Sequence, residues 1–119
     1  MPALVLVTTV GSEGQANELA RELVARRHAA CVNILPGVRS VYRWQGKICR
    51  DSEFMLVIKT TADEYDAAAA AIRELHSYDL PEILAFPVER GSDEFLAWIV
   101  QSLDKTADFD DDEDVPDVD

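Results

Sequence analysis

Cysteine is scarce: Cys31 and Cys49 are the two in 119 residues, and they form no C-x-x-C pair. One chain of this kind offers no structural zinc site, because such sites draw on closely spaced Cys and His ligands. Bases are few, 11 Lys and Arg against 23 acids, and they form no stripe. Nucleic acid is therefore not an expected partner, since that affinity comes largely from cations neutralising phosphates. No apolar run approaches the roughly 18 residues a membrane span requires. The opening MPALVLVTTV has no basic n-region, and its apolar stretch is too short for a signal peptide. A cytoplasmic chain with free thiols is expected. There is no G-x-S-x-G, no H-E-x-x-H and no P-loop, so no enzyme is expected and no catalytic residue is assigned.

What is present is a chain with 48% apolar residues, enough for a packed core and too many for wholesale disorder. Its charge is unevenly spread. Residues 104–119 read DKTADFDDDEDVPDVD, a net of −8, which leaves −4 on residues 1–103. The expected organisation is one domain over 1–103 followed by an acidic tail over 104–119. The tail has too few apolar groups to offset its ordering entropy, so disorder is expected there.

Within the domain, Ala3–Thr9 reads as a buried strand. Ser12-Glu13-Gly14-Gln15 fits a capping box, with Gln15 reaching back, and Ala16, Leu19, Ala20, Leu23 and Val24 then share one helical face. A second β run, Cys31–Leu35, ends at Pro36-Gly37. Val38–Trp44 resumes extended, Gln45-Gly46 makes a two-residue turn, and Lys47–Lys59 runs back. Its apolar end, Phe54–Ile58, has the pattern of a strand covered on both faces. Thr61–Glu64 is a second capping box before a helix with Tyr65, Ala68, Ala69, Ile72 and His76 on one face. Ile83–Val88 is a fourth strand, and a last helix starts at Ser92 and runs through Leu103. The order predicts an α+β, ferredoxin-like βαββαβ sandwich with an extended β2–β3 hairpin and an additional C-terminal helix.

The hairpin is the anomaly. Each arm has roughly 13 residues, or about 43 Å at 3.3 Å per residue. A globule of this size is only about 34 Å across and cannot cover such a ribbon. Long open edges invite pairing with another chain, and Tyr42 and Trp44 near the tip suit an interface. Self-association through the ribbon is expected, with Tyr42, Trp44 and Cys49 at the contact. The competing reading is that Pro36-Gly37 bends the ribbon back over its own sheet.

The run Ala29-Ala30-Cys31-Val32-Asn33-Ile34 with Pro36, followed by Ser40-Val41-Tyr42-Arg43-Trp44-Gln45-Gly46-Lys47-Ile48, closely resembles the CutA family of divalent-cation tolerance proteins. So do Glu53, Leu56, Ile58-Lys59-Thr60, His76-Ser77-Tyr78, Pro81-Glu82-Ile83 and Trp98. The resemblance implies a homotrimer joined through long hairpins and a role in tolerance of copper and other divalent cations. Members proposed to hold copper carry a cysteine in the first strand and a histidine pair ending the second helix. The matching positions here are Thr8 and Leu75-His76, so of those ligands His76 remains. Cys31 is retained in the second strand. His76 and Cys31 are the candidate ligands for copper or another divalent cation.

His76 has a structural reading, as a hydrogen-bonded residue at a helix C-terminus, and a functional one, as ligand or proton carrier. His28, in a basic helix end, reads as solvated. Cys31, inside an apolar stretch, reads as an inert core thiol. Lys59, His76, Tyr78 and Glu82 are expected to meet in a cleft between subunits and bind a small anion or amphoteric metabolite. That reading makes the chain a small-ligand sensor resembling trimeric PII signalling proteins. A third reading uses His76 and Glu82 as acid and base of a weak enzyme. The RNA-recognition module shares the topology, but Lys47-Ile48-Cys49-Arg50-Asp51 lacks its stacking aromatics.

Overall fold

A computed structural model describes residues 2–106 and 114–115. Eight elements follow in order: β1 Ala3–Val10, α1 Glu13–Ala25, β2 Cys31–Trp44, β3 Lys47–Thr61, a 3-10 turn Ala62–Glu64, α2 Tyr65–Leu75, β4 Leu84–Pro87 and α3 Asp93–Ser102. The sheet order is β2-β3-β1-β4, with each neighbouring pair antiparallel. This is the expected ferredoxin-like arrangement, with α3 added at the end. The expected disorder of the acidic tail falls mostly on residues outside those described.

Side-chain alternation on β1 divides the molecule into two faces. Leu4, Leu6 and Val10 join Leu56 and Ile58 of β3 in a core with Leu19 and Leu23 of α1 and Ala68 and Ile72 of α2. The odd-numbered residues of β1 point the other way. Ala3 meets Ile99 of α3 and Leu103 just after it, but the rest of this second face carries no helix. Leu84 and Phe86 of β4, opposite Val7 and Val5, are 52% and 51% exposed. The run Phe54–Ile58 is thus covered on one face by helices and left part-open on the other, not sealed on both.

Ser12 caps α1, its hydroxyl accepting from Gln15 N–H at 3.1 Å. The Gln15 side chain does not reach back, as a capping box would require. Its amide donates to the Leu75 carbonyl at 3.1 Å, and its Oε1 accepts from Ser77 Oγ at 2.8 Å. The second capping box also fails: Thr61 ends β3 without a side-chain cap, and Glu64 pairs with His28 and Lys105 at 3.1 Å each. His28 is accordingly a hydrogen-bond partner of Glu64 and not a merely solvated residue.

Thr8 sits on the helix-covered face opposite Leu56, fully buried, and its hydroxyl has no hydrogen-bond partner among the described residues. A buried unpaired hydroxyl carries a desolvation cost that a methyl of the same shape avoids. Thr8→Val is expected to raise the unfolding free energy by about 1 kcal/mol, read as a higher urea midpoint at unchanged slope. A lower midpoint would show that the hydroxyl has a partner.

Candidate functional site

The hairpin forms as its turn chemistry dictates. Gln45 and Gly46 both have positive φ, 50° and 77°, the two-residue turn that matches strand twist and favours glycine at its second position. The register is Tyr42 opposite Cys49, Val41 opposite Arg50 and Arg43 opposite Ile48. At Pro36-Gly37 a bulge shifts the pairing between Leu35 and Val38, yet the ribbon continues outward. β1 pairs β3 only as far as Phe54, so Val38–Trp44 and Lys47–Glu53 pair with each other alone among the described residues. The protomer is drawn out to 49 × 33 × 27 Å.

Where the ribbon leaves the sheet, the segment after α2 approaches it and closes one side of a cleft of about 590 Å³. Tyr42, Trp44, Asp51 and Glu53 line it from the hairpin, and Tyr78, Asp79 and Glu82 from the loop. Tyr78 is the brace between the two walls, its hydroxyl donating to Glu53 Oε2 at 2.7 Å. Burial, then this bond, pushes the Tyr78 phenol above the ordinary tyrosine range. Gly11 makes room for it: a Cβ there would lie 3.1 Å from the Tyr78 hydroxyl. Tyr42 donates to Asp51, and this bond more than any other influence pushes its phenol up to about 12.

His76 lies behind the cleft, 9% exposed, at the end of α2. The Tyr78 backbone N–H donates to His76 Nδ1 at 3.1 Å, so Nδ1 is bare and Nε2 carries the proton. Nε2 then donates to the Thr9 carbonyl at 2.7 Å. Both ring nitrogens are in use, and Gln15 ties the residues on either side of the ring, through the Leu75 carbonyl and the Ser77 hydroxyl.

The other expected site residues are elsewhere. Cys31 and Lys59 face each other across β2 and β3, and Lys59 also pairs with Val5 of β1. His76 binds at Thr9, four residues further along β1, or about 13 Å at strand spacing. Within one chain Cys31 and His76 therefore do not converge. Lys59 does not reach Tyr78 and Glu82; its ammonium donates to Asn33 and lies 3.9 Å from Cys31 Sγ. Cys31 is half-buried beside that lysine and not sealed in the core as expected. No group of three or more His, Cys, Asp or Glu is placed to hold a metal among the described residues. The donor set of a single chain does not fit a copper site. The cleft also differs in sign from the anion site expected: four carboxylates line it, with Arg43 as its base. Sequence reasoning had missed Asp51 and Asp79 as lining residues; the i, i+2 spacing of Asp51 and Glu53 on one strand face was the available signal.

The sequence pattern of the CutA1 divalent ion tolerance protein family matches residues 4–102. The divalent-cation tolerance protein CutA of Thermus thermophilus is 44% identical over 95 residues, covering 80% of this chain and 92% of the relative. Protein CutA of Homo sapiens is 40% identical over 100 residues, 84% of this chain, and the chain spans 56% of that relative's length. The same partial span, 56%, holds for the chloroplastic CutA of Arabidopsis thaliana. Among solved structures, CutA1 of Oryza sativa superimposes with a TM-score of 0.86 at 37% identity over 89% of this chain and 97% of that one. A periplasmic divalent cation tolerance protein CutA of Archaeoglobus fulgidus gives 0.84 at 35% identity over 86% and 99%. The chain belongs to the CutA family of divalent-cation tolerance proteins.

Proposed function

We propose that this protein acts as a homotrimeric cytoplasmic scaffold in the tolerance of copper and other divalent metals, binding metal modestly and without catalysing a reaction. The carrying observation is the overhang: Val38–Trp44 and Lys47–Glu53 lack a third strand among the described residues, and β2 and β4 are both sheet edges. Long open edges of this kind are ordinarily paired or covered. Continuous with them, Leu35, Leu84 and Phe86 are exposed on the helix-free face, an apolar surface that a monomer rarely leaves bare. Tyr42, Trp44 and Cys49 lie on the overhang and would enter the contact. Since Cys31 and His76 do not meet within a chain, a metal site using either would be completed by neighbouring subunits. Both cysteines are free thiols, in keeping with a reducing compartment. The unit carrying this role is 1–103, with 104–119 a solubilising appendage.

Light scattering at micromolar concentration tests the assembly. The expected mass is about 40 kDa, three times the 13.2 kDa chain, and removal of 104–119 should leave three copies together. A monomer mass would overturn the reading. The second reading, a PII-like sensor of a small ligand, is favoured by one observation, the cleft beside the hairpin.

A further inference from the structure

The cleft holds more carboxylate than its own chain neutralises. Glu53 is 6% exposed, yet its hydrogen-bond donor among the described residues is a neutral group, the Tyr78 hydroxyl, and no ion pair reaches it. Buried carboxylates ordinarily face a cation or several donors. Asp51, two residues earlier and so on the same strand face, accepts from another neutral group, the Tyr42 hydroxyl. The loop adds Asp79 and Glu82. Arg43 is the base in the lining, and Lys47, opposite Trp44, shares the ribbon face of the acids without lining the cleft; neither is ion-paired to these carboxylates among the described residues.

Two features point away from a bare metal ion. The acids do not converge in a group suited to one, and about 590 Å³ is far more space than an ion needs and falls in the range of small-molecule pockets. The aromatic groups supply the remaining clue. Tyr42 and Trp44 stand on the same ribbon face as Asp51 and Glu53, and aromatic faces attract organic cations while carboxylates accept from their N–H groups.

We propose that the cleft between the hairpin and the loop after α2 binds a small organic cation, a primary ammonium or guanidinium compound of a few carbons. Asp51, Glu53 and Glu82 take its charge, and Tyr42 and Trp44 take its carbon chain. The proposal rests on reading the cleft as a ligand site and not on the threefold assembly. A lysine or arginine of a second copy has the same chemistry, so the test must separate it from a free molecule.

The full chain carrying Trp98→Phe keeps Trp44 as its one tryptophan. It is titrated with 1,4-diaminobutane at constant ionic strength, followed by Trp44 fluorescence, with 1,4-butanediol and magnesium chloride as controls and light scattering on each sample. The expected result is a saturable response to the diamine, absent with the diol, whose half-point rises about tenfold or more in Glu53→Gln and in Glu82→Gln, as loss of a charged hydrogen bond requires. Glu82 is exposed on the loop, so its variant remains informative if Glu53→Gln does not fold. An equal response to the diol or to magnesium overturns the proposal. So does silence up to roughly 10 mM diamine in a trimeric sample, a concentration well above ordinary ligand affinities; a neighbour's side chain then fills the cleft. Diamine binding by a monomer would leave this site standing and remove the trimer.

Discussion

His76→Ala is expected to lower the unfolding free energy by about 2–3 kcal/mol while leaving a copper(II) titration unchanged. The ring is a bracket. It accepts from the Tyr78 backbone N–H at 3.1 Å and donates to the Thr9 carbonyl at 2.7 Å, nearly out of contact with water. Removing it leaves a backbone donor and a backbone acceptor without partners, each costing about 1–3 kcal/mol when buried. It also removes the tilted contact with Tyr78, whose ring centroid is 4.6 Å away. Because Tyr78 braces Glu53, the loop wall of the cleft should loosen as well, so the Trp44 response to diamine should weaken in the same variant. Urea unfolding at fixed protein concentration measures the first effect and calorimetry with copper the second. A loss below about 1 kcal/mol, less than one orphaned backbone group costs, or a tenfold fall in copper affinity would return His76 to the role of metal ligand.

Leu6→Ala should cost more, about 3–5 kcal/mol, the range for truncating a fully buried leucine where the site cannot collapse. Leu6 is at the centre of β1, opposite Ile58 on one side and Ala85 on the other, with no exposed surface. Paired strands on both sides hold the backbone, so the cavity stays open. The melting temperature should fall by roughly 10 °C or more for a domain of this size. Val5→Ala is the informative control, because Val5 is the next residue on the same strand but faces the helix-free side. If that side is solvent-exposed in solution, Val5→Ala should cost well under the Leu6 value. If copies of the chain cover it, the cost should approach that value and the melting temperature should depend on protein concentration.

The 45–46 turn and the pairing of Tyr42 with Cys49 were legible because a two-residue turn at a glycine leaves one register for the arms. The start of α1 was legible because Ser12 caps by a local bond, three residues away. Gln15 shows where this stops. A capping box and a long-range tie use the same side chain, and the choice was made by the Leu75 carbonyl and Ser77, some 60 residues distant. The same holds for Lys59, expected beside Tyr78 and Glu82 on the strength of its position at a strand end alone. Strand pairing instead carries it to the far end of β1, beside Cys31 and Asn33.

By itself, then, the sequence determined the element order, the hairpin register and the surplus of ribbon over body. Those follow from hydrophobic period, turn residues and residue count, all of which act within a few residues of the chain. The tertiary structure alone decided that His76 turns both nitrogens inward, that the buried Thr8 hydroxyl finds no partner among the described residues, and that Asp51, Glu53, Asp79 and Glu82 line one cleft. These depend on which distant backbone groups and side chains share a strand face or a loop edge, and that is set only when β1 takes its place between β3 and β4.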